Sequence, residues 1–518
     1  MDAFIEGALD VVWSDWLVWL CLGAGLWFTL RSGLIQITGL PNMIRSIVRG
    51  GSSADGISPF QALTMSLSGR VGAGNIAGVA GAIAVGGPGA VLWMWVVALL
   101  GAATSFIEST LAQIYKERDP RTGEYRGGPA FYFERAYRHT WARIPLTIYA
   151  WCFAMASVIA LGIFLPGIQT STMATAVTNA VPAIDKWMVG VVLALVLGTI
   201  IIGGVKRIAA FTARVVPIMA AFYLLVAIVV VLFNITEIPD MVRLIVSSAF
   251  GVHSAFGGML GVAISYGVQR GIYSNEAGQG TGPHAAAATE VSHPAKQGLV
   301  QAFAVYIDTL IVCSATAFLI LSTGMYRVFG EAESMVSFGG YADGLGFEAE
   351  PGMDVEYTQA ALDSSLQGAG AILLAVALTF FAFSTVVYYY YMAETNLTYA
   401  IRRVKSQTFQ RAALAALQVM ILIVVFYGAM GAGGQAWSIG DIGVGLMAWL
   451  NIVGILVLQG PAFKALRDYR KQLKAGRDPQ FDPREVGIRN AEFWERRADG
   501  AKPGEPDAGA EREPTTTR

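Results

Sequence analysis

Two apolar segments of this chain are interrupted by glycine-rich polar stretches, a pattern that few folds accommodate. The first interruption reads Ser66-Leu-Ser-Gly-Arg-Val-Gly-Ala-Gly-Asn-Ile-Ala-Gly-Val-Ala80. The second runs from Phe256-Gly-Gly-Met-Leu-Gly261 through Arg270-Gly-Ile-Tyr-Ser-Asn-Glu-Ala-Gly-Gln-Gly-Thr-Gly-Pro283. Backbone that leaves the helical conformation inside a bilayer strips N–H and C=O groups of partners, at several kcal/mol each, unless something polar occupies the site. Interruptions placed early in each half of a chain are how secondary transporters expose backbone to a solute and its coupling ion. The pattern therefore points to a small-solute transporter.

The rest of the chain is consistent with a membrane interior. Only 14% of residues are charged, 54% are apolar, and the mean hydropathy is +0.52, whereas a soluble domain carries about a quarter charged residues. Apolar stretches long enough to cross a bilayer number about eleven: 9–30, 59–85, 89–115, 145–166, 187–205, 212–233, 251–290, 297–324, 366–391, 411–431 and 441–463. The seventh is too long for one straight helix, as a broken span would be. All but five of the 36 Lys and Arg (Arg70, Lys186, Arg243, Arg270 and Arg327) fall in or beside the loops of one side. That asymmetry predicts a basic cytoplasmic face, with the C-terminus inside and the N-terminus outside. The acidic loop 325–365 then lies outside, with room for a short helix or lid, and the tail after Lys464 is expected to be disordered beyond residue 500. The expected division is an extra N-terminal helix over 1–31, a ten-helix core over 32–463 and a cytoplasmic tail over 464–518. The first span lacks a basic leader and an A-x-A site and reads as a retained helix. Cys21, Cys152 and Cys313 sit in apolar runs without metal spacing and read as buried thiols. HExxH, GxSxG and P-loop patterns are absent from the sequence, so neither an intramembrane protease nor an ATP-driven pump is supported. No organic cofactor and no nucleic-acid partner are expected; the lipid bilayer is.

In the first interruption, Gly72 and Gly74 are expected to free the backbone from helical angles and present N–H groups to a carboxylate. Carbonyls near Ser68 and Val71 would then be open to a hard cation, and Asn75 offers a donor and an acceptor at the same level. A plain packing face, with Gly74 and Gly78 at GxxxG spacing, is the competing reading. In the second interruption, 257–261 is the expected unwound part, with Arg270 and Glu276 pairing at the inner end as a structural or gating bridge beside Asn275. Span nine carries Ser384 and Thr385. These hydroxyls either back-bond to the preceding turn or, with a freed carbonyl near Phe381, contribute oxygens to a Na⁺ shell. Span four is expected to end at Pro166-Gly-Ile-Gln-Thr-Ser-Thr172, leaving Gln169 as a substrate contact or a water-facing amide. Glu108 and Asp308 are intramembrane acids, functional candidates by default, each placed close enough to an interface to be solvated.

Four motifs in order, Gly72-Ala-Gly-Asn-Ile-Ala-Gly-Val-Ala80, Gly86-Gly-Pro-Gly-Ala-Val-Leu-Trp-Met-Trp95, Gly127-Gly-Pro-Ala-Phe-Tyr-Phe133 and Arg270-Gly-Ile-Tyr-Ser-Asn-Glu-Ala-Gly278, resemble the alanine or glycine:cation symporter family from about residue 10 to 463. The resemblance implies an all-α polytopic protein with a leucine-transporter-like core of two inverted five-helix repeats behind one extra helix. Its broken helices would lie near 68–78 and 256–271. It implies Na⁺-coupled uptake of alanine, glycine or similar small amino acids through an inner membrane. It places Na⁺ among Ser68, Val71, Phe381, Ser384 and Thr385, and the amino acid against Gly72, Gly74, Asn75, Gln169, Gly257 and Gly258. Two alternatives remain in view: a proton-coupled transporter of the same fold, titrating at Glu108 or Asp308, and a channel.

Overall fold

The computed structural model describes residues 2–48, 55–252, 259–329, 335–336, 354–431 and 433–500. Apart from two short antiparallel hairpins, 117–118 with 125–126 and 328–329 with 335–336, the ordered elements are helices. Among the described residues, eight helices are long and apolar enough to cross a membrane. Three expected spans are instead short or interrupted: 59–85, 187–205 and 251–290 correspond to Pro59–Arg70 with Gly74–Gly86, to Lys186–Ile201, and to Leu260–Asn275 with Gly282–Ala287.

The first interrupted span begins at a capping box. Ser58 Oγ accepts from Gln61 N at 3.2 Å and Gln61 Oε1 accepts from Ser58 N at 2.9 Å, with Pro59 in the first turn. The helix stops at Val71, whose ψ of 89° is not helical, and resumes as a π-turn over Gly74–Gly78. The interruption that the described residues show in the second segment lies beyond the expected 257–261 stretch. Leu260–Asn275 is one continuous helix through Gly261, Gly267 and Gly271, and the backbone breaks at Glu276 (φ 55°), Gly278 (φ 90°) and Gly280 (φ 81°). Left-handed backbone at three nearby residues is what ends this helix. Gly267 and Gly271 serve packing instead, since a Cβ at Gly267 would lie 2.6 Å from Ala90 O and one at Gly271 would strike Val97. Gly257 and Gly258 lie outside the described residues.

Span four also departs from expectation. Arg143–Ile159 continues through a π-turn, Ala160–Phe164, into Leu165–Ala180, so Gln169 sits in mid-helix rather than at a helix end. The π-turn just before Pro166 rearranges the carbonyls that its ring would otherwise meet, which is how the helix passes a proline. A third π-turn, Tyr306–Cys313, interrupts the helix Pro294–Thr323 at Asp308. Helix Asp354–Leu366, inside the expected outer loop, packs on the Gly74–Gly86 segment, with Asp354 against Gly81. Cys21 and Cys313 are buried, but Cys152 is exposed, on the helix face that an apolar solvent would cover.

The last long helix runs from Gly433 to Lys474, and the chain then folds back under the core through two short helices, Pro483–Val486 and Glu492–Ala498. Phe481 N donates to Ser292 O at 3.0 Å, Trp494 Nε1 to Gln113 O at 2.7 Å, and Arg497 pairs with Glu290. The Lys116 ammonium lies 4.3 Å from the Tyr125 ring and 4.5 Å from the Phe493 ring, and donates to Thr289 O at 2.7 Å. Burial pushes this lysine down to about 7, with Glu290 opposing and Arg497 reinforcing the shift. The expected disorder beyond residue 500 falls outside the described residues.

Candidate functional site

The two interruptions and the π-turn at Asp308 meet in the middle of the bundle. Gly72 N donates to Asn75 Oδ1 at 2.9 Å, and Ala73 N to Gln169 Oε1 at 2.9 Å, so two amides freed by the break are held by side chains rather than by helix. Asn75 Nδ2 donates to Asp308 Oδ1 at 2.6 Å. The same carboxylate accepts from Ser274 Oγ at 2.9 Å and Thr309 Oγ1 at 2.7 Å. Asn75 O accepts from Thr316 Oγ1 at 2.7 Å, and Cys313 Sγ lies 3.3 Å from Asn75 Nδ2. Gly72 and Gly74 owe their identity to close approach, not to unusual backbone angles: neither has positive φ. A Cβ on Gly72 would lie 2.6 Å from Thr385 Oγ1 and 2.8 Å from Gln169 Oε1, and one on Gly74 would lie 2.8 Å from Tyr273 Cδ1.

Beside this cluster lies a group of uncharged oxygens. Thr385 Oγ1 is 2.7 Å from Ser68 O, 3.5 Å from Val71 O and 3.0 Å from Phe381 O, and Ser384 Oγ is 2.9 Å from Phe381 O. Ser384 and Thr385 thus back-bond to their own helix, while Thr385 also crosses to the carbonyls at the end of Pro59–Arg70. Carbonyls and hydroxyls without a carboxylate form the donor set a hard monovalent cation accepts.

The expected bridge between Arg270 and Glu276 is not formed. Arg270 pairs with Asp441 at 3.1 Å, with its guanidinium 4.9 Å from the Trp437 ring. Six residues along a helix put Glu276 about 9 Å from Arg270 and on another face, and Asp441 is the carboxylate within reach. Asp441 was hidden from sequence reading because it falls at the edge of the last apolar stretch; an acid beginning such a stretch, in a chain with an arginine inside another, was the available signal. Arg70 is buried and donates to Gln301 O at 3.1 Å and Ser105 Oγ at 3.2 Å. Asn275 Oδ1 accepts from Ala277 N at 2.9 Å and helps to form the turn. Glu108, fully buried rather than solvated, accepts from Gly278 N, Gly280 N and Asn451 Nδ2 at 3.4, 3.2 and 2.7 Å. It caps the second interruption. Asp308 is likewise fully buried.

Two interrupted helices around a shared polar cluster are the arrangement of a secondary transporter. The family model for the sodium:alanine symporter family matches residues 1–483, and the chain belongs to that family. It is 48% identical over 455 residues to the sodium/proton-dependent alanine carrier protein of Bacillus sp. (strain PS3), covering 88% of this chain and 97% of that protein. It is 36% identical over 467 residues to the sodium/alanine symporter AgcS of Methanococcus maripaludis, covering 89% and 96%. Among solved structures, MhsT in complex with L-phenylalanine superposes with a TM-score of 0.53 at 12% identity, over 85% of this chain and 97% of that one. The fold is therefore the leucine-transporter-like one.

Proposed function

We propose that this chain imports small neutral amino acids, alanine and glycine foremost, in symport with Na⁺ by alternating access. It would do so across a bacterial inner membrane, with its basic face and tail in the cytoplasm. The observation that carries the reading is the oxygen group of Ser68, Val71, Phe381, Ser384 and Thr385, which abuts the break at Gly72–Asn75. Na⁺ bound there would hold the end of Pro59–Arg70 against Gly370–Ile401. The amino-acid carboxylate would take over the Gly72 and Ala73 amides from Asn75 and Gln169, so solute and ion would share one stretch of backbone. The tight contacts of Gly72 and Gly74 support a small side chain on the solute. From the second interrupted span, Tyr273 and Ser274 lie beside the first break, and the proposed share of Gly257 and Gly258 falls outside the described residues.

A second reading, proton coupling, is favoured by the direct bond between Asn75 and Asp308, which makes Asp308 the acid able to sense solute through one side chain. Radiolabelled alanine uptake into proteoliposomes separates the two. Accumulation under an inward Na⁺ gradient, absent with K⁺ or choline, supports Na⁺ symport. Uptake that follows a pH gradient in Na⁺-free buffer and is lost in Asp308→Asn supports the proton reading instead.

A further inference from the structure

A groove of about 600 Å³ lies away from the transport site, at the start of the helix Arg143–Ile159. Trp141, Arg143, Ile144, Thr147 and Ile148 line it, with Arg403 arriving from the loop after Gly370–Ile401. Its lining combines two chemistries. Arg143 is exposed and makes no ion pair among the described residues. Arg403, 67% exposed, spends one nitrogen on Glu134 Oε1 at 2.9 Å, a carboxylate that Arg402 already pairs with. The charges nearest the groove thus leave an uncompensated positive excess. The apolar side chains of the lining are bare: Trp141 is 91% exposed, Ile144 71% and Ile148 60%. The same helix continues this face through Trp151, also exposed, inside a stretch apolar enough to cross a membrane.

A free phosphate would use the arginines and leave the isoleucine face unmatched. A glycerophospholipid with an anionic headgroup matches both. Its phosphate suits the guanidinium donors, an indole belongs at the level of the glycerol and carbonyl groups, and an acyl chain fits along Ile144, Ile148 and Trp151. We propose that this groove binds one anionic phospholipid of the tail-side leaflet, held by Arg143 and Arg403 and seated against Trp141.

The test is native mass spectrometry of the full chain in detergent, titrated with phosphatidylglycerol or phosphatidylcholine. The expected result is one retained phosphatidylglycerol, preferred at least about fivefold over phosphatidylcholine, with the preference lost in Arg143→Gln/Arg403→Gln and kept in Arg403→Lys. Arg143→Gln alone removes no protein ion pair and is expected to lower the preference in a folded chain. An unchanged preference in Arg143→Gln or in Arg143→Gln/Arg403→Gln overturns the proposal. So does displacement of phosphatidylglycerol by millimolar inorganic phosphate, which would make the ligand a free anion. None of these readouts depends on transport.

Discussion

At the scale of single residues, the site is built from atoms that leave no spare room. Gly72→Ala would press a methyl group between Thr385 and Gln169. The expected outcome is a chain that still inserts and purifies but loses at least about tenfold in alanine uptake, since a misplacement near 1 Å costs that much or more. Thr385→Val keeps the shape and removes the hydroxyl that reaches Ser68 O at 2.7 Å. A Na⁺ half-saturation raised about tenfold, equivalent to about 1.4 kcal/mol, with alanine affinity little changed at saturating Na⁺, is the outcome expected from uptake curves; an unaltered Na⁺ curve would place the cation elsewhere. Asn75 could be read as a site candidate because an amide beside glycines inside an apolar run has few other reasons to be there. Its bond to Asp308 could not, because the two are brought together only by packing of distant helices. For Gly72 and Gly74, sequence suggests backbone freedom, and only the neighbouring side chains show that closeness also excludes a Cβ there.

At the scale of elements, glycine again decides how near helices come. A Cβ on Gly298 would meet Thr110 and, at 2.8 Å, the Phe106 carbonyl, so Pro294–Val305 lies against Ala90–Ile114 backbone to backbone. Gly298→Leu is expected to prevent a folded product, visible as loss of a monodisperse peak in fluorescence-detected size exclusion. The same rule separates the glycines of the second segment: all look equally breakable in sequence, yet Gly261, Gly267 and Gly271 lie within one helix, two of them in tight helix packing, while Gly278 and Gly280 turn left-handed. A pH effect belongs to the tail. His293 Nδ1 accepts from Ala295 N at 3.1 Å as a helix cap, and Nε2 faces Asp468 Oδ2 at 3.3 Å. Its ring packs between Tyr469 and Phe481. Burial holds His293 below its ordinary 6.5, with Asp468 opposing. The unfolded form therefore binds a proton that the folded form resists, and stability falls as pH drops below about 6.5. Limited proteolysis at pH 7.5 and 5.5 should show the tail less protected in acid, and His293→Asn, which keeps a cap acceptor without titrating, should flatten the difference.

At the scale of the whole molecule, the proposed cycle, with a cation shell free of carboxylates and a zwitterionic solute, would carry net positive charge across the membrane. About 100 mV, inside negative, is worth roughly 2.3 kcal/mol per charge, so a K⁺ diffusion potential of that sign should accelerate Na⁺-driven uptake in proteoliposomes; indifference to potential would mean that a compensating charge travels too. The helical class was legible because hydropathy and loop charge act over the entire chain, whereas the two-repeat core came only from the resemblance carried by the glycine-rich motifs. The continuous fourth span was not, since Pro166 reads as an ending unless the π-turn before it is seen. That turn, with those at Gly74–Gly78 and Tyr306–Cys313, bears on how the family can vary in length. Each holds surplus backbone within a helix, and removal of one residue would relax it toward an ordinary α-helix. Everything beyond would then turn by about 100° and shift by about 1.5 Å. Deleting Gly162 would in this way swing Gln169 off the Ala73 amide while leaving every side chain of the cluster in the sequence. Descendants of such a chain can therefore exchange residues at these turns far more readily than they can lose one.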